Sequence, residues 1–330
     1  MILAADVGGT KCNLALVEKS EEQLSVRHER RFSSREYAQF SDIVSAFLAE
    51  VRETVASSKA GRIEAAGFGV AGPVIGKKVH VTNVGWEIDT DALARQIGTR
   101  PVVLLNDLEA TAYGLHWLAP DQLRALNPGK RRPRAAQALI AAGTGLGEAI
   151  LHWSGERYIA APTEGGHCDF APRTDQEIEL LRYMRRNGEP VSFEMILSGR
   201  GFLTLHEFLN PKIRHDGFGV PDIDPAPEIT RRALDGSCPT CVQTLDLWVS
   251  LYGAESGNLA LKALSLGGFF VAGGIAAKIL PKMTDGTFFT SFCRKEKFAE
   301  LLAEVPVHLV LTDQTPVLGA AAEAARSAVI

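Results

Sequence analysis

Three groups of side chains in this 330-residue chain could do chemistry. Asn106 and Asp107 stand at the end of the apolar run Val102-Val103-Leu104-Leu105, just before the helical stretch Leu108-Glu109-Ala110-Thr111-Ala112. In α/β sheets ligands bind at the carboxyl ends of strands. A carboxylate there, with an amide beside it, suits gripping a polyol and accepting its proton. The same Asp also reads as a helix N-cap, and the two roles are compatible. Glu164 and His167 sit three residues apart around Gly165-Gly166. That spacing suits paired contacts to sugar hydroxyls. A buried histidine with ordinary partners is the other reading of His167; no second His lies at ligand spacing, so a metal there is not expected. Glu194 falls in Ser192-Phe193-Glu194-Met195-Ile196, which reads as a helix start where a Glu supports the first turn.

Glycine turns supply the second kind of chemistry. Leu3-Ala4-Ala5-Asp6-Val7 is a short apolar strand, followed by Gly8-Gly9-Thr10-Lys11 and a second strand over Asn13–Val17. Glycines permit positive φ and close approach of a ligand, and successive N–H groups in such a turn make a nest for phosphate oxygens. Asp6, at the strand end, can orient a hydrated Mg²⁺ without touching the phosphate. Because the chain returns to a strand and not a helix, the turn is neither a Rossmann fingerprint nor a Walker loop. Ala138–Ala142, Gly143-Thr144-Gly145-Leu146-Gly147 and Glu148–Leu151 repeat the layout: strand, Gly/Thr turn, strand. Two such units predict a duplicated, two-lobed nucleotide-binding fold. A third strand opens on Gly273-Gly274 and leads into a helix, which fits adenosine or its phosphates.

The elements that must position these groups alternate along the chain. Strands are predicted at 2–6, 13–18, 25–32, 63–70, 102–107 and 306–311. Helices are predicted from Ser41 to Val55, after an Asp91 cap, over Gln176–Asn187, Thr230–Leu234 and Cys241–Leu264, and from Thr315-Pro316 to Ser327. Lys130-Arg131-Arg132-Pro133-Arg134 reads as part of a solvated loop over 119–136, and 210–227, rich in Pro, Asp and Gly, as another loop.

Composition excludes several classes. The balance of 35 basic against 39 acidic residues leaves a net charge of −4, which offers no footprint for nucleic acid or an acidic membrane. No apolar run approaches the roughly 18 residues of a membrane span. Asp6 interrupts the first apolar run, so a signal peptide is not expected and a cytoplasmic location is. Five cysteines make no disulfide framework. Cys238-Pro-Thr-Cys241 has the spacing of half a zinc site, but no second pair and no nearby His pair is visible, so the expectation is two reduced thiols at a helix start and no metal.

Taken together, Asp6-Val7-Gly8-Gly9-Thr10, Asn106-Asp107, Gly143-Thr144-Gly145-Leu146-Gly147, the run from Glu164 to Pro172, Leu197-Ser198-Gly199 and Ala272-Gly273-Gly274-Ile275 closely resemble the bacterial-type glucokinases across essentially the whole chain. The resemblance implies a sugar kinase of the hexokinase, actin and Hsp70 superfamily. Its fold would be α/β, actin-like and ribonuclease H-like, with two domains (1–117 plus 312–330, and 118–311) and a cleft between them. It implies ATP-dependent phosphorylation of glucose on the 6-hydroxyl, the first step of glycolysis, with Mg²⁺ carried by ATP and no direct side-chain ligand, in a homodimer. By position, Asp107 resembles the general base, and Asn106, Asp107, Glu164, His167 and Glu194 the sugar contacts. Ala5, Asp6, Val7, Gly8, Gly9, Thr10, Gly143, Thr144, Gly145, Gly273 and Gly274 resemble the ATP contacts. The alternative is a ROK-like kinase for fructose, mannose or an N-acetylhexosamine, towards which Lys11 leans. The cysteine-rich zinc motif that ROK members carry after their Glu-His pair is replaced here by Asp169-Phe170-Ala171-Pro172. Cys168 and Arg200 depart from the residues common at those positions. A ROK-type repressor would need a DNA-binding domain ahead of residue 2, and a non-catalytic member would lack the acid at 107.

Overall fold

The computed structural model describes residues 1–20, 23–58, 61–72, 74, 76–81, 83–220 and 223–328. Pro221 and Asp222, within the loop read over 210–227, lie outside the described residues. The chain divides into two compact units, Met1–Pro120 with Tyr158–Pro162 and Thr312–Ile330, and Asp121–Arg157 with Thr163–Leu311.

The first unit begins with the strands β1 (Ile2–Val7), β2 (Lys11–Lys19) and β3 (Leu24–Ser33), a meander running into the helix α1 (Phe40–Ser57). The chain continues through β4 (Ala65–Val70), the small hairpin β5 (Lys78–Val81) and β6 (Trp86–Asp89), α2 (Thr90–Ile97), β7 (Val102–Asn106) and α3 (Asp107–Gly114). The main sheet has the order β3-β2-β1-β4-β7, antiparallel from β3 to β1 and parallel from β1 to β7. The central strands are buried almost throughout, which is why they read as continuous apolar runs.

The second unit holds β8 (Leu123–Asn127), β9 (Gln137–Ala142) and β10 (Leu146–Trp153). The following strand, β11 (Tyr158–Thr163), belongs to the first unit over Tyr158–Pro162, where Tyr158 stacks on His116 at 5.0 Å between ring centroids. The helices α4 (Asp175–Met184), α5 (Gly199–Leu209), α6 (Ala226–Leu234) and α7 (Pro239–Ala263) come next, then β12 (Gly268–Ala272). Four short helices, α8 (Gly274–Lys278), α9 (Leu280–Met283), α10 (Thr287–Cys293) and α11 (Ala299–Ala303), lead to β13 (Val307–Val310). Within this unit the strand order is β10-β9-β12-β13-β8. Both units therefore pair a β-hairpin with two parallel strands, as expected from the repeated turns. The core of the second unit gathers on α7, whose Trp248 stacks on Phe202 of α5 at 4.9 Å and packs against Tyr252.

Several local expectations are corrected. The cap of α2 is Asp89, whose carboxylate accepts the N–H groups of Asp91 and Ala92 at 2.8 and 3.0 Å. The basic stretch 119–136 is not all loop: β8 lies in it, paired antiparallel with β13, and Lys130 answers Glu304 at 2.9 Å. Glu194 is on a turn and not at a helix start, because α5 begins only at Gly199. Short apolar stretches such as Thr287–Cys293 became helices that carried no clear period in the sequence.

The last helix, α12 (Thr315–Ser327), returns to the first unit and lies on α3, β4 and β1. Its approach is backbone to backbone. A Cβ at Gly319 would stand 1.8 Å from the carbonyl oxygen of Ala110, one at Gly114 would stand 1.9 Å from that of Thr315, and one at Gly67 would stand 2.1 Å from that of Ala320. No side-chain rotation relieves such contacts, so helices or sheet must separate. Gly319→Ala is expected to cost about 1–3 kcal/mol of stability, the usual range for overpacking, whereas Gly274→Ala, with nothing within 4 Å, is expected to be near neutral. Urea unfolding of both variants distinguishes them; equal midpoints would refute the role of the close approach.

Candidate active site

In the first unit the site is built on neighbouring strand ends. Asp6 of β1 is in register with Gly69 of β4, and Gly69 with Leu105 of β7. A Cβ at Gly69 would meet that of Ala110 at 2.8 Å, so glycine lets the first turn of α3 settle on the sheet between Asp6 and Asp107. Asn106, not Asp107, caps α3. Its Oδ1 accepts the N–H groups of Leu108 and Glu109 at 2.9 and 3.4 Å, while its Nδ2 donates to the carbonyl of Gly72 at 3.3 Å. One hydrogen of that amide remains for a ligand. Asp107 opens the helix, with one carboxylate oxygen accepting the N–H of Leu108 at 2.9 Å.

Burial holds the Asp6 carboxyl up at about 6, and the negative charge of Asp107 pushes the same way; Lys11 and Arg31 pull against them, and Asp313 adds to the rise. Asp313 is itself paired with Arg31. Three acids thus bear on one strand end, which suits an oxygen-seeking cation brought in with a nucleotide. Asp313 and Arg31 lie 282 residues apart in the sequence and carried no signal there.

The turn at Gly8-Gly9-Thr10 is braced from behind. Gly8 N–H donates to the carbonyl of Lys11 at 3.0 Å, and the hydroxyl of Ser34 donates to the carbonyl of Gly8 at 2.7 Å. Neither Gly8 nor Gly9 has positive φ, contrary to the conformational reason expected for them. What Gly9 supplies is room, since a Cβ there would stand 2.5 Å from that of Asn83. Ala5 and Val7 are buried in β1, and the Thr10 side chain is exposed at the tip of the turn.

The second unit carries its own group of candidate side chains on a short antiparallel pairing of loops. Phe170 N–H donates to Val191, Phe193 N–H to Cys168 and Glu194 N–H to Gly166, at 2.7, 3.0 and 2.8 Å. This ladder sets Glu194 beside the turn that carries Glu164 and His167. His167 Nε2 lies 3.8 Å from Glu194 Oε1, and both Glu164 and His167 are exposed. The other oxygen, Glu194 Oε2, accepts the N–H of Leu146 at 3.0 Å, and a Cβ at Gly145 would stand 2.5 Å from it. Glu194 therefore joins the imidazole of His167, on the Glu164 turn, to the end of the Gly143-Thr144-Gly145 turn. That linkage was invisible in the sequence, where the two segments are 48 residues apart.

The same turn is fixed from two further sides. Gly143 accepts the N–H of Gly199, the first residue of α5, at 2.9 Å. Gly273 has φ +88, and a Cβ on it would stand 2.3 Å from the carbonyl oxygen of Ala142. Glycine is thus required at 273 on both counts, whereas Gly274 faces open space. The helix after it, α8, is only five residues long, so the dipole expected there is small and the open glycine surface is what remains for a ligand.

A sheet built this way in each of two units, with a glycine turn at the first hairpin of each, is that of the actin-like ATPase fold, which includes sugar kinases. The solved structure of a glucokinase from an Antarctic psychrotroph is similar to the chain with a TM-score of 0.85 at 28% identity over 98% of both. A ROK family glucokinase from Streptomyces griseus, in complex with glucose and AMPPNP, covers 98% of this chain and 99% of its own, with a TM-score of 0.67 at 23% identity, a likeness of fold. In sequence, the glucokinase of a Nostoc species is 38% identical over 99% of both chains, and the family described as Glucokinase matches residues 3–327. The chain belongs to the glucokinase family. Among the described residues, no helix is long and apolar enough to cross a membrane.

The raised Asp6 carboxyl makes a linkage prediction. Between about pH 4 and 6 the folded chain holds a proton that the unfolded chain releases, so stability falls as pH rises through that window and the whole cost of the buried charge is present above it. Asp6→Asn is expected to raise the thermal midpoint of the ligand-free protein at pH 7.5, with the gain shrinking towards pH 4. A gain of equal size at both pH values would show that the charge is not its source.

Proposed function

We propose that the chain transfers the γ-phosphoryl group of ATP to the 6-hydroxyl of D-glucose, with Asp107 as the base. The observation that supports this reading is the division of labour at the end of β7: Asn106 does the capping, so Asp107 stands at the strand end as an acid and not merely as a cap. Asp107 would accept the hydroxyl proton as the oxygen attacks, removing charge that would otherwise build on the nucleophile. Asn106, Glu164, His167 and Glu194 would hold the remaining hydroxyls. A sugar lacking a hydroxyl would leave one of these groups without its partner, which is a ground for rejection.

The backbone from Ala5 to Thr10, the turn Gly143-Thr144-Gly145, and Gly273-Gly274 would hold the nucleotide. Mg²⁺ bound with ATP would supply charge neutralisation on the phosphate oxygens. Asp6 would orient its water shell, a role that also relieves the repulsion between Asp6 and Asp107. We further take the protein to act in the cytoplasm as a homodimer at the first step of glycolysis, with 1–117 plus 312–330 and 118–311 as its functional domains.

A coupled assay of ADP release against a panel of sugars tests the substrate. Glucose is expected to exceed fructose, mannose and N-acetylhexosamines in kcat/KM, and a preference for any of these would overturn the assignment. Asp107→Asn is expected to lower kcat by roughly 10²–10⁴-fold, with ATP affinity by calorimetry unchanged; near-normal turnover would exclude Asp107 as the base. Glu164→Gln is expected to raise KM for glucose while leaving that for ATP in place, and equal losses for both would count against a sugar contact.

A further inference from the structure

The thiols at 238 and 241, expected to stand alone, do not. The chain folds back on itself so that His206, on α5, and His215, in the loop after it, come together with Cys238, the N-cap of α7, and Cys241 in its first turn. We propose that these four residues form a closed site for one zinc ion that fastens α5, the following loop and the start of α7 to one another.

The ligating atoms of all four lie within 4.8 Å of one another, and Cys241 Sγ is 3.3 Å from His215 Nε2. A tetrahedral zinc with bonds of about 2.3 Å to sulfur and about 2.0 Å to nitrogen sets its ligand atoms roughly 3.3–3.8 Å apart. The cluster is therefore at or within about 1 Å of that geometry. The donor set of two thiolates and two imidazoles is that of structural zinc, and it contains no carboxylate to favour calcium or magnesium.

Burial points the same way. His206 is wholly inaccessible to solvent, and neither of its ring nitrogens has a hydrogen-bond partner. Buried polar atoms are almost always paired, and in an enclosed imidazole with both nitrogens unpaired a metal would take up the lone pair of one of them. Cys238 and Cys241 are also buried, and His215 is half-buried. Phe218 closes the cluster, its ring edge-on to those of His206 and His215 at 5.1 and 5.4 Å. Two thiolates balance the two charges of zinc, so the loaded site is neutral overall and suited to this enclosure.

Four protein ligands leave no open position for a catalytic water, so the role is structural. Its place in the fold gives that role a reach. The helix that carries His206 begins at Gly199, whose N–H holds the carbonyl of Gly143 in the nucleotide turn. A metal at the far part of α5 thus fixes the helix whose first residue fastens that turn.

The full-length protein, expressed in zinc-supplemented medium and freed of loose metal by gel filtration, tests this by elemental analysis. The expected content is about one zinc per chain, falling several-fold in His215→Gln and in Cys241→Ser and unchanged in Cys293→Ser, a thiol outside the cluster. Cobalt loaded in its place is expected to show the visible absorption of a tetrahedral thiolate complex, lost in Cys241→Ser. Chelation is expected to lower the thermal midpoint of the wild type and not that of His215→Gln. A folded wild type that carries no zinc and takes up neither zinc nor cobalt overturns the proposal, as does full metal content in both ligand variants. Should Cys241→Ser fail to fold, His215→Gln, at the half-buried edge, carries the same test.

Discussion

The first unit depends on one constraint, the backbone-to-backbone approach of its last helix. Residues from the end of the chain lie on strands and a helix from its beginning, and they do so where Gly67, Gly114 and Gly319 leave no side chain in the way. Packing of this kind is steeply distance-dependent, because interiors are already close-packed and methyl-sized changes are felt. The helix that α12 presses upon is the one opened by Asp107, and β1 and β4 beneath it carry Asp6 and Gly69. Glycines far from any ligand in the sequence thereby set where the two acids stand.

The electrostatics follow from that packing. Settling α3 beside β1 brings the charge of Asp107 to bear on a carboxylate that is already short of water, and both effects disfavour the ionised form of Asp6. The second unit solves its problem differently. There a single carboxylate, Glu194, is divided between two duties: one oxygen holds the backbone N–H of Leu146, just after the second glycine turn, and the other lies near His167. A side chain shared in this way couples the Glu164–His167 turn to the Gly143-Thr144-Gly145 turn within one unit.

What was legible in the sequence was what rests on local pattern. Buried strands announced themselves as apolar runs, and both hairpins showed the same strand, glycine, strand order, so the doubled architecture and the residues at its turns could be read directly. Boundaries and caps were less legible. Asp89 and Asp91 are equally good caps on paper, and only the observed backbone geometry at Asp89 decides between them. The glycines at 8 and 9 were read for their freedom of φ, whereas their surroundings require space. Groups that meet only through tertiary folding were out of reach: Arg31 with Asp313, Glu194 with Leu146, and His206 and His215 with a Cys-x-x-Cys pair more than twenty residues further on. No periodicity records such meetings, because each partner satisfies its own local element.

The acids of the first unit also say something about the state in which the protein is complete. Folding places Asp6 where its own charge is opposed, and the arrangement persists because α12, α3 and the sheet over-determine it. In the ligand-free chain that arrangement is a cost, met by the packing of the rest of the unit. Under the role proposed for Asp6 it would become an advantage once positive charge arrived with a nucleotide, since a carboxylate poor in water attracts a hydrated cation with less competition from solvent. The same burial that disfavours the charged carboxylate in the ligand-free chain would then strengthen its attraction to the cation, on the proposed reading of Asp6.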